Sequence, residues 1–178
     1  MKKALALVAM ATLVGAANAI IVPPGSSPGT AATIVRGPSI WADAGVMGMA
    51  AGDTHWWKVS MLAGEVLSAM TTPLATMFVE PDTVMSIWDS SGVLLARNDD
   101  SPANGLGSSV RAFATMDEDF YIAVVGFHSG DQSLLGYYTS SDSTEAGPYV
   151  LTASIVPEPA TYAVFGIGAL ALLRRRKK

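Results

Sequence analysis

From Asp53 onward the chain alternates apolar and polar positions with a period of two, the signature of half-buried strands. Trp57, Val59 and Met61 recur on one side of a stretch running from Asp53 to Met61. Further strands are predicted at Val66–Met70, Thr76–Val79, Asp82–Asp89, Val93–Ala96, Ser109–Ala114 and Tyr149–Ile155. Within Asp82–Asp89, Val84, Ser86 and Trp88 fall opposite Thr83, Met85 and Ile87. The run Phe120–Gly126 is the most strand-like of all. Turn residues separate these segments: Ala63-Gly64, Ser90-Ser91-Gly92, the acidic Asp117-Glu118-Asp119, and two longer polar loops at Asn98–Gly107 and Gly130–Glu145. Short strands at this spacing, without an amphipathic helical stretch, predict an all-β, antiparallel β-sandwich or jelly roll over residues 51–155. Residues 20–50 are rich in Gly, Pro, Ala and Ser and read as a linker, with edge strands near Thr33–Val35 and Ser39–Trp41.

The two ends follow another pattern. Lys2 and Lys3 precede an apolar stretch from Ala4 to Ala17, and Ala17-Asn18-Ala19 is a small-x-small cleavage site. Residues 1–19 therefore read as a signal peptide. At the other end, residues 156–178 hold Pro157-Glu158-Pro159, an uncharged run from Ala160 to Leu173, and the cations Arg174, Arg175, Arg176, Lys177 and Lys178. Two prolines fix φ and remove backbone donors, so this peptide is expected to stand out as an extended, accessible segment outside any central strand. The apolar run would span only about 21 Å as a helix, short of the roughly 30 Å hydrocarbon core. The basic cluster directly behind it resolves the ambiguity in favour of a transmembrane helix with a stop-transfer end.

Charge sharpens the division. Between residues 20 and 155 only Arg36, Lys58, Arg97 and Arg111 are basic, against nearly all of the fifteen acids. So acidic a body lacks the positive footprint that nucleic acid requires. The chain has no cysteine, which excludes thiol catalysis, disulfides and cysteine-ligated zinc.

The order Pro-Glu-Pro, short apolar span and arginine-rich end resembles the PEP-CTERM sorting signal of Gram-negative bacteria. That resemblance implies processing by an exosortase, with Pro157, Glu158 and Pro159 as a substrate motif, and transient anchoring in the inner membrane before release to the cell surface or outside. It also implies a setting of exopolysaccharide and biofilm. A second resemblance covers about residues 51–155. Gly52-Asp53-Thr54-His55-Trp56-Trp57-Lys58-Val59, then Asp82–Gly92, Leu94–Asp100, Asp119–Val124 and Gly147–Leu151 look like the bacterial pre-peptidase C-terminal (PPC-like) β-sandwich. That family commonly has a second Asp where His55 stands. The resemblance implies an accessory module without enzymatic activity, some members binding calcium and some extracellular polymer.

The richest candidate chemistry is the loop after Asn98. Asp99 and Asp100, with Asp53 and Asp82 converging from elsewhere, form a candidate calcium site, since Ca²⁺ takes six to eight oxygen ligands from irregular loops. Asx side chains equally build turns. Trp56 is the candidate carbohydrate platform. Neighbouring Trp56 and Trp57 point to opposite faces of a strand, so one of them is core and the other is free to face outward. His55 and His128 lack a third zinc ligand, and no Gly-x-Ser-x-Gly elbow is present. The expectation is an exported, non-enzymatic surface or matrix protein. A calcium- or carbohydrate-binding module and a secreted hydrolase are the alternatives.

Overall fold

The computed structural model describes residues 23–35, 40–47, 53–74, 80–102, 105–127 and 143–157, with only the backbone described at 40–47 and 157. The expected signal peptide, the strand at Thr76–Val79, His128 and the tail from residue 158 lie outside the described residues.

Among the described residues nine strands form two sheets. They are β1 (Ala32–Thr33), β2 (Ile40–Met47), β3 (Thr54–Met61), β4 (Glu65–Pro73), β5 (Thr83–Trp88), β6 (Leu94–Asn98), β7 (Ser109–Phe113), β8 (Glu118–Gly126) and β9 (Gly147–Pro157). One sheet runs β1-β3-β8-β5-β6 and the other β2-β9-β4-β7. All pairings are antiparallel except β1 with β3. The protein is an all-β sandwich.

The pleat explains the core. Trp57, Val59 and Met61 of β3, Met85 and Ile87 of β5, and Phe120, Ile122 and Val124 of β8 point inward from the first sheet. Leu67 and Ala69 of β4, Val110 and Ala112 of β7, and Tyr149, Leu151 and Ala153 of β9 meet them from the second. Alternate residues of each strand thus fill the space between the sheets.

The first sheet also buries its outer face. Trp56, Trp88 and Ala123 form a second apolar cluster, with Tyr121 and Leu94 against it. The cover comes from the Pro/Gly segment expected to be a linker. Gly25 and Trp56 exchange backbone hydrogen bonds of 3.0 and 2.9 Å, and Ile34 N–H donates to Lys58 O at 2.7 Å. The strap therefore pairs along the open edge of β3, arching through a short 3₁₀ turn at Pro28–Thr30. Gly25 is required by the tightness of this arch: a Cβ there would lie 2.0 Å from Thr30 O. Covering an open edge also removes a site for unwanted strand pairing.

Two of the boundary differences change the picture. Glu118 and Asp119 belong to β8 rather than to a free acidic turn; Asp119 accepts from Ser60 Oγ at 2.6 Å and faces Lys58 Nζ at 3.5 Å. At the C-terminal end, Val156 and Pro157 continue β9, a central strand, with Pro157 opposite Glu65. Among the described residues β2 pairs with β9 only as far as Ser154, so Pro157 lies beyond the two-sided part of the strand, where proline is tolerated.

Candidate functional site

Three of the four acids expected at a calcium site come together. Asp82 immediately precedes β5, and Asp99 and Asp100 immediately follow β6, its hairpin partner. One carboxylate oxygen from each lies within 4.8 Å of the others. Among the described residues, Asp82 Oδ1 and Asp99 Oδ1 are buried and accept no hydrogen bond, although both residues are half-exposed and Asp100 is exposed. A buried carboxylate oxygen without a donor is costly unless a cation satisfies it.

The electrostatics agree. Burial, then the charges of Asp99, Asp100 and Glu145, push the Asp82 carboxyl up to about 6. Burial and Asp100 raise that of Asp99, against a downward pull from Arg97. Like charges held this close resist joint ionisation.

The loop is fixed by a buried hydroxyl network at the same end of the sandwich. Thr71 Oγ1 and Thr83 Oγ1 are 2.7 Å apart, and Ser108 N–H donates to Thr71 Oγ1 at 2.8 Å. Ser108 Oγ reaches both Thr83 O and Asp99 O. Asn98 closes the loop from the other side, accepting from Ser109 N–H at 2.9 Å and donating to Asp100 O at 3.2 Å.

Glu145 was not anticipated. It arrives from the loop before β9 and accepts from Asp82 N–H at 3.1 Å. It lies 63 positions from Asp82 in sequence, in a stretch that reads only as polar, so no local signal marks it. Asp53, by contrast, stands outside the cluster: it precedes β3 and its charge acts on His55. His55 Nδ1 is 2.6 Å from Tyr149 Oη, and the two rings stack with centroids 5.8 Å apart. Burial lowers the His55 pKa, outweighing the upward effect of Asp53.

Trp56 is not a surface platform. It is 1% exposed, sealed beneath the strap. Trp56 nevertheless contributes, with Pro28, Trp88, Asp89 and Tyr121, to the lining of a groove of about 170 Å³. Asp89 is committed to the β5–β6 turn, where Oδ1 accepts from the N–H groups of Ser91 and Val93 at 2.8 Å each.

Comparison with known proteins bears first on the tail. Residues 156–177 match the PEP-CTERM protein-sorting motif, which indicates exosortase-dependent export through the cell envelope. Among the described residues no helix is long and apolar enough to cross a membrane; residues 160–173 are not among them. The sequence matches no curated protein. The fold is similar to that of two solved periplasmic inhibitors of g-type lysozyme. PliG of Aeromonas hydrophila is 13% identical, with a TM-score of 0.46, over 70% of this chain and 94% of that one. PliG of Salmonella Typhimurium is 10% identical, with a TM-score of 0.42, over 70% of this chain and 96% of that one.

Proposed function

We propose that the protein is an exported, non-enzymatic β-sandwich of the cell envelope, anchored for a time in the inner membrane by its tail and processed by an exosortase at Pro157-Glu158-Pro159. The observation that supports it is the sorting motif at residues 156–177 placed directly at the end of core strand β9. In this reading residues 1–19 direct export and the apolar run 160–173 enters the bilayer. The cations 174–178 then stay on the cytoplasmic side. Its surroundings after release are an extracellular matrix of exopolysaccharide. Expression in a host with and without its exosortase tests this. The processed form is expected only with the enzyme, and an Ala replacement of all three motif residues should accumulate uncut in the inner membrane. Equal release without the enzyme contradicts it.

A second role is assigned to the body on the strength of the two orphaned carboxylate oxygens of Asp82 and Asp99. Asp82, Asp99 and Asp100 would hold Ca²⁺, with Glu145 beside them and backbone carbonyls or water completing a shell of six to eight oxygens. Bound there, the ion would neutralise the mutual repulsion of the carboxylates and tie the start of β5 to the loop after β6. That is a stabilising clip, suited to a cysteine-free protein outside the cytoplasm, where the body has no disulfides to rely on.

A further inference from the structure

Among the described residues, the strand registers assign exposed apolar side chains to the two ends of the sandwich. Met61 pairs with Glu118, Glu65 with Pro157, Val66 with Phe113 and Trp88 with Tyr121. The β3–β4, β5–β6 and β7–β8 turns therefore lie at the end where β9 hands over to the tail. Each turn carries an apolar residue turned to solvent: Leu62 is 49% exposed, Val93 56% and Met116 61%. Val156 adds 43%, and Val35, where the strap leaves β1 at the same end, adds 73%. Among the described residues, the opposite end, which holds the acid cluster, offers Leu74 at 41% and Leu106 at 36%. Isolated exposed apolar residues are ordinary on a protein surface; here each of the three turns at one end presents one.

We infer that this end of the sandwich is a membrane-docking surface, with Leu62, Val93 and Met116 resting in the headgroup layer of a lipid bilayer. The inference rests on the reading of the tail as a membrane anchor. Chain length makes it obligatory for the end to lie near the bilayer: only Glu158 and Pro159 separate Pro157 from the apolar run. Three Cα–Cα steps reach at most about 11 Å, and each headgroup layer is itself about 5–8 Å thick. The apolar run is also too short for the hydrocarbon core, so mismatch draws flanking apolar groups toward the membrane.

Charge narrows the lipid. The same end carries acids, several already engaged. Asp117 Oδ1 accepts from Ala63 N–H at 2.8 Å, Glu65 Oε2 from Leu62 N–H at 2.7 Å, and Asp89 braces its own turn. These bonds stiffen the turns that present Leu62 and Val93, while their charge disfavours an anionic surface. The fitting partner is a zwitterionic one.

The absence of cysteine allows a direct test. Single cysteines placed by Leu62→Cys, Val93→Cys, Met116→Cys, Leu74→Cys and Leu106→Cys would carry an environment-sensitive fluorophore. The exported protein, purified with its tail intact, would be reconstituted into phosphatidylcholine vesicles containing nitroxide-labelled lipid. Emission is expected to be lost at positions 62, 93 and 116 and retained at 74 and 106. Equal quenching at all five positions, or none at any in protein that floats with the vesicles, overturns the docking surface and leaves the anchor standing. Labels shielded from an aqueous quencher but untouched by the lipid quencher would mean that protein covers this end, and also overturn it. Protein that does not float with the vesicles overturns anchor and docking together.

Discussion

Glu65 and Pro157 are register partners across the β4–β9 pair, so the first proline of Pro157-Glu158-Pro159 is the last residue of a core strand. Glu65 is buried at the start of β4 and holds the β3–β4 turn through Leu62 N–H. No spacer lies between the folded body and the proposed processing site. Under the proposed function, the exosortase would work against the end of a finished sandwich, and the body would sit as close to the membrane as the chain permits.

The acid cluster predicts an unusual pH dependence. The Asp82 carboxyl is pushed up to about 6 in the folded state from 3.8. A carboxylate with a raised folded pKa favours the fold while protonated. Without a cation its contribution is lost as pH rises from about 4 through 6. The loss is on the order of 1 kcal/mol after discounting for solvent screening. Ca²⁺ should reverse the trend, raising the melting temperature at pH 7 and much less at pH 4.5. Thermal unfolding with CaCl₂ or EDTA reads both. Asp99→Asn should abolish the calcium response and raise the cation-free melting temperature at pH 7, because it removes one of the repelling charges.

Ser108 is predicted to matter more than its size implies. Its hydroxyl reaches both Thr83 O and Asp99 O, and its N–H bonds Thr71 Oγ1. Ser108→Ala leaves buried acceptors unpaired, at a cost of about 1–3 kcal/mol. It should also weaken calcium binding in titration calorimetry, whereas Ser109→Ala, exposed on the next position, should alter neither.

Trp56 should behave as a core residue. Trp56→Ala is expected to cost about 3–5 kcal/mol, measured by denaturant unfolding. Gly25→Val, which forces the strap against its own Thr30 carbonyl, should increase the fluorescence response of Trp56 to aqueous quenchers. Glycan retention on an array should not depend on Trp56 in protein that remains folded.

His55 gives a second pH signature. Burial lowers its pKa below the usual 6.5, so the fold favours the neutral ring. Its contribution is present above 6.5 and lost as pH falls toward the depressed value. An NMR titration of the imidazole should show a midpoint below 6.5, and Tyr149→Phe should remove the hydroxyl that bonds Nδ1.

The strands with strong alternation were legible from sequence. Trp57, Val59 and Met61 and the run Phe120–Gly126 announce β3 and β8 because each carries its own apolar face. β2 was not fully legible: Ala42-Asp43-Ala44-Gly45 has little intrinsic strand preference, and its register comes from β9. Trp56 leaves the pleat on the side opposite Trp57, as alternation requires, but its burial was not legible, because its cover is a Pro/Gly strap held by backbone bonds, which composition reads as linker. Asp82, Asp99 and Asp100 were nameable because a hairpin joins them. Glu145 reaches them through tertiary folding alone, and Asp53 is a neighbour of His55 instead.

The most direct test of the account is the intact mass of the protein recovered from the envelope of a host that carries the exosortase. The account predicts a chain that has lost residues 1–19 and has been cut at or near Pro157-Glu158-Pro159, leaving β9 whole. A mass that retains the apolar run and the five terminal cations in every fraction would contradict it.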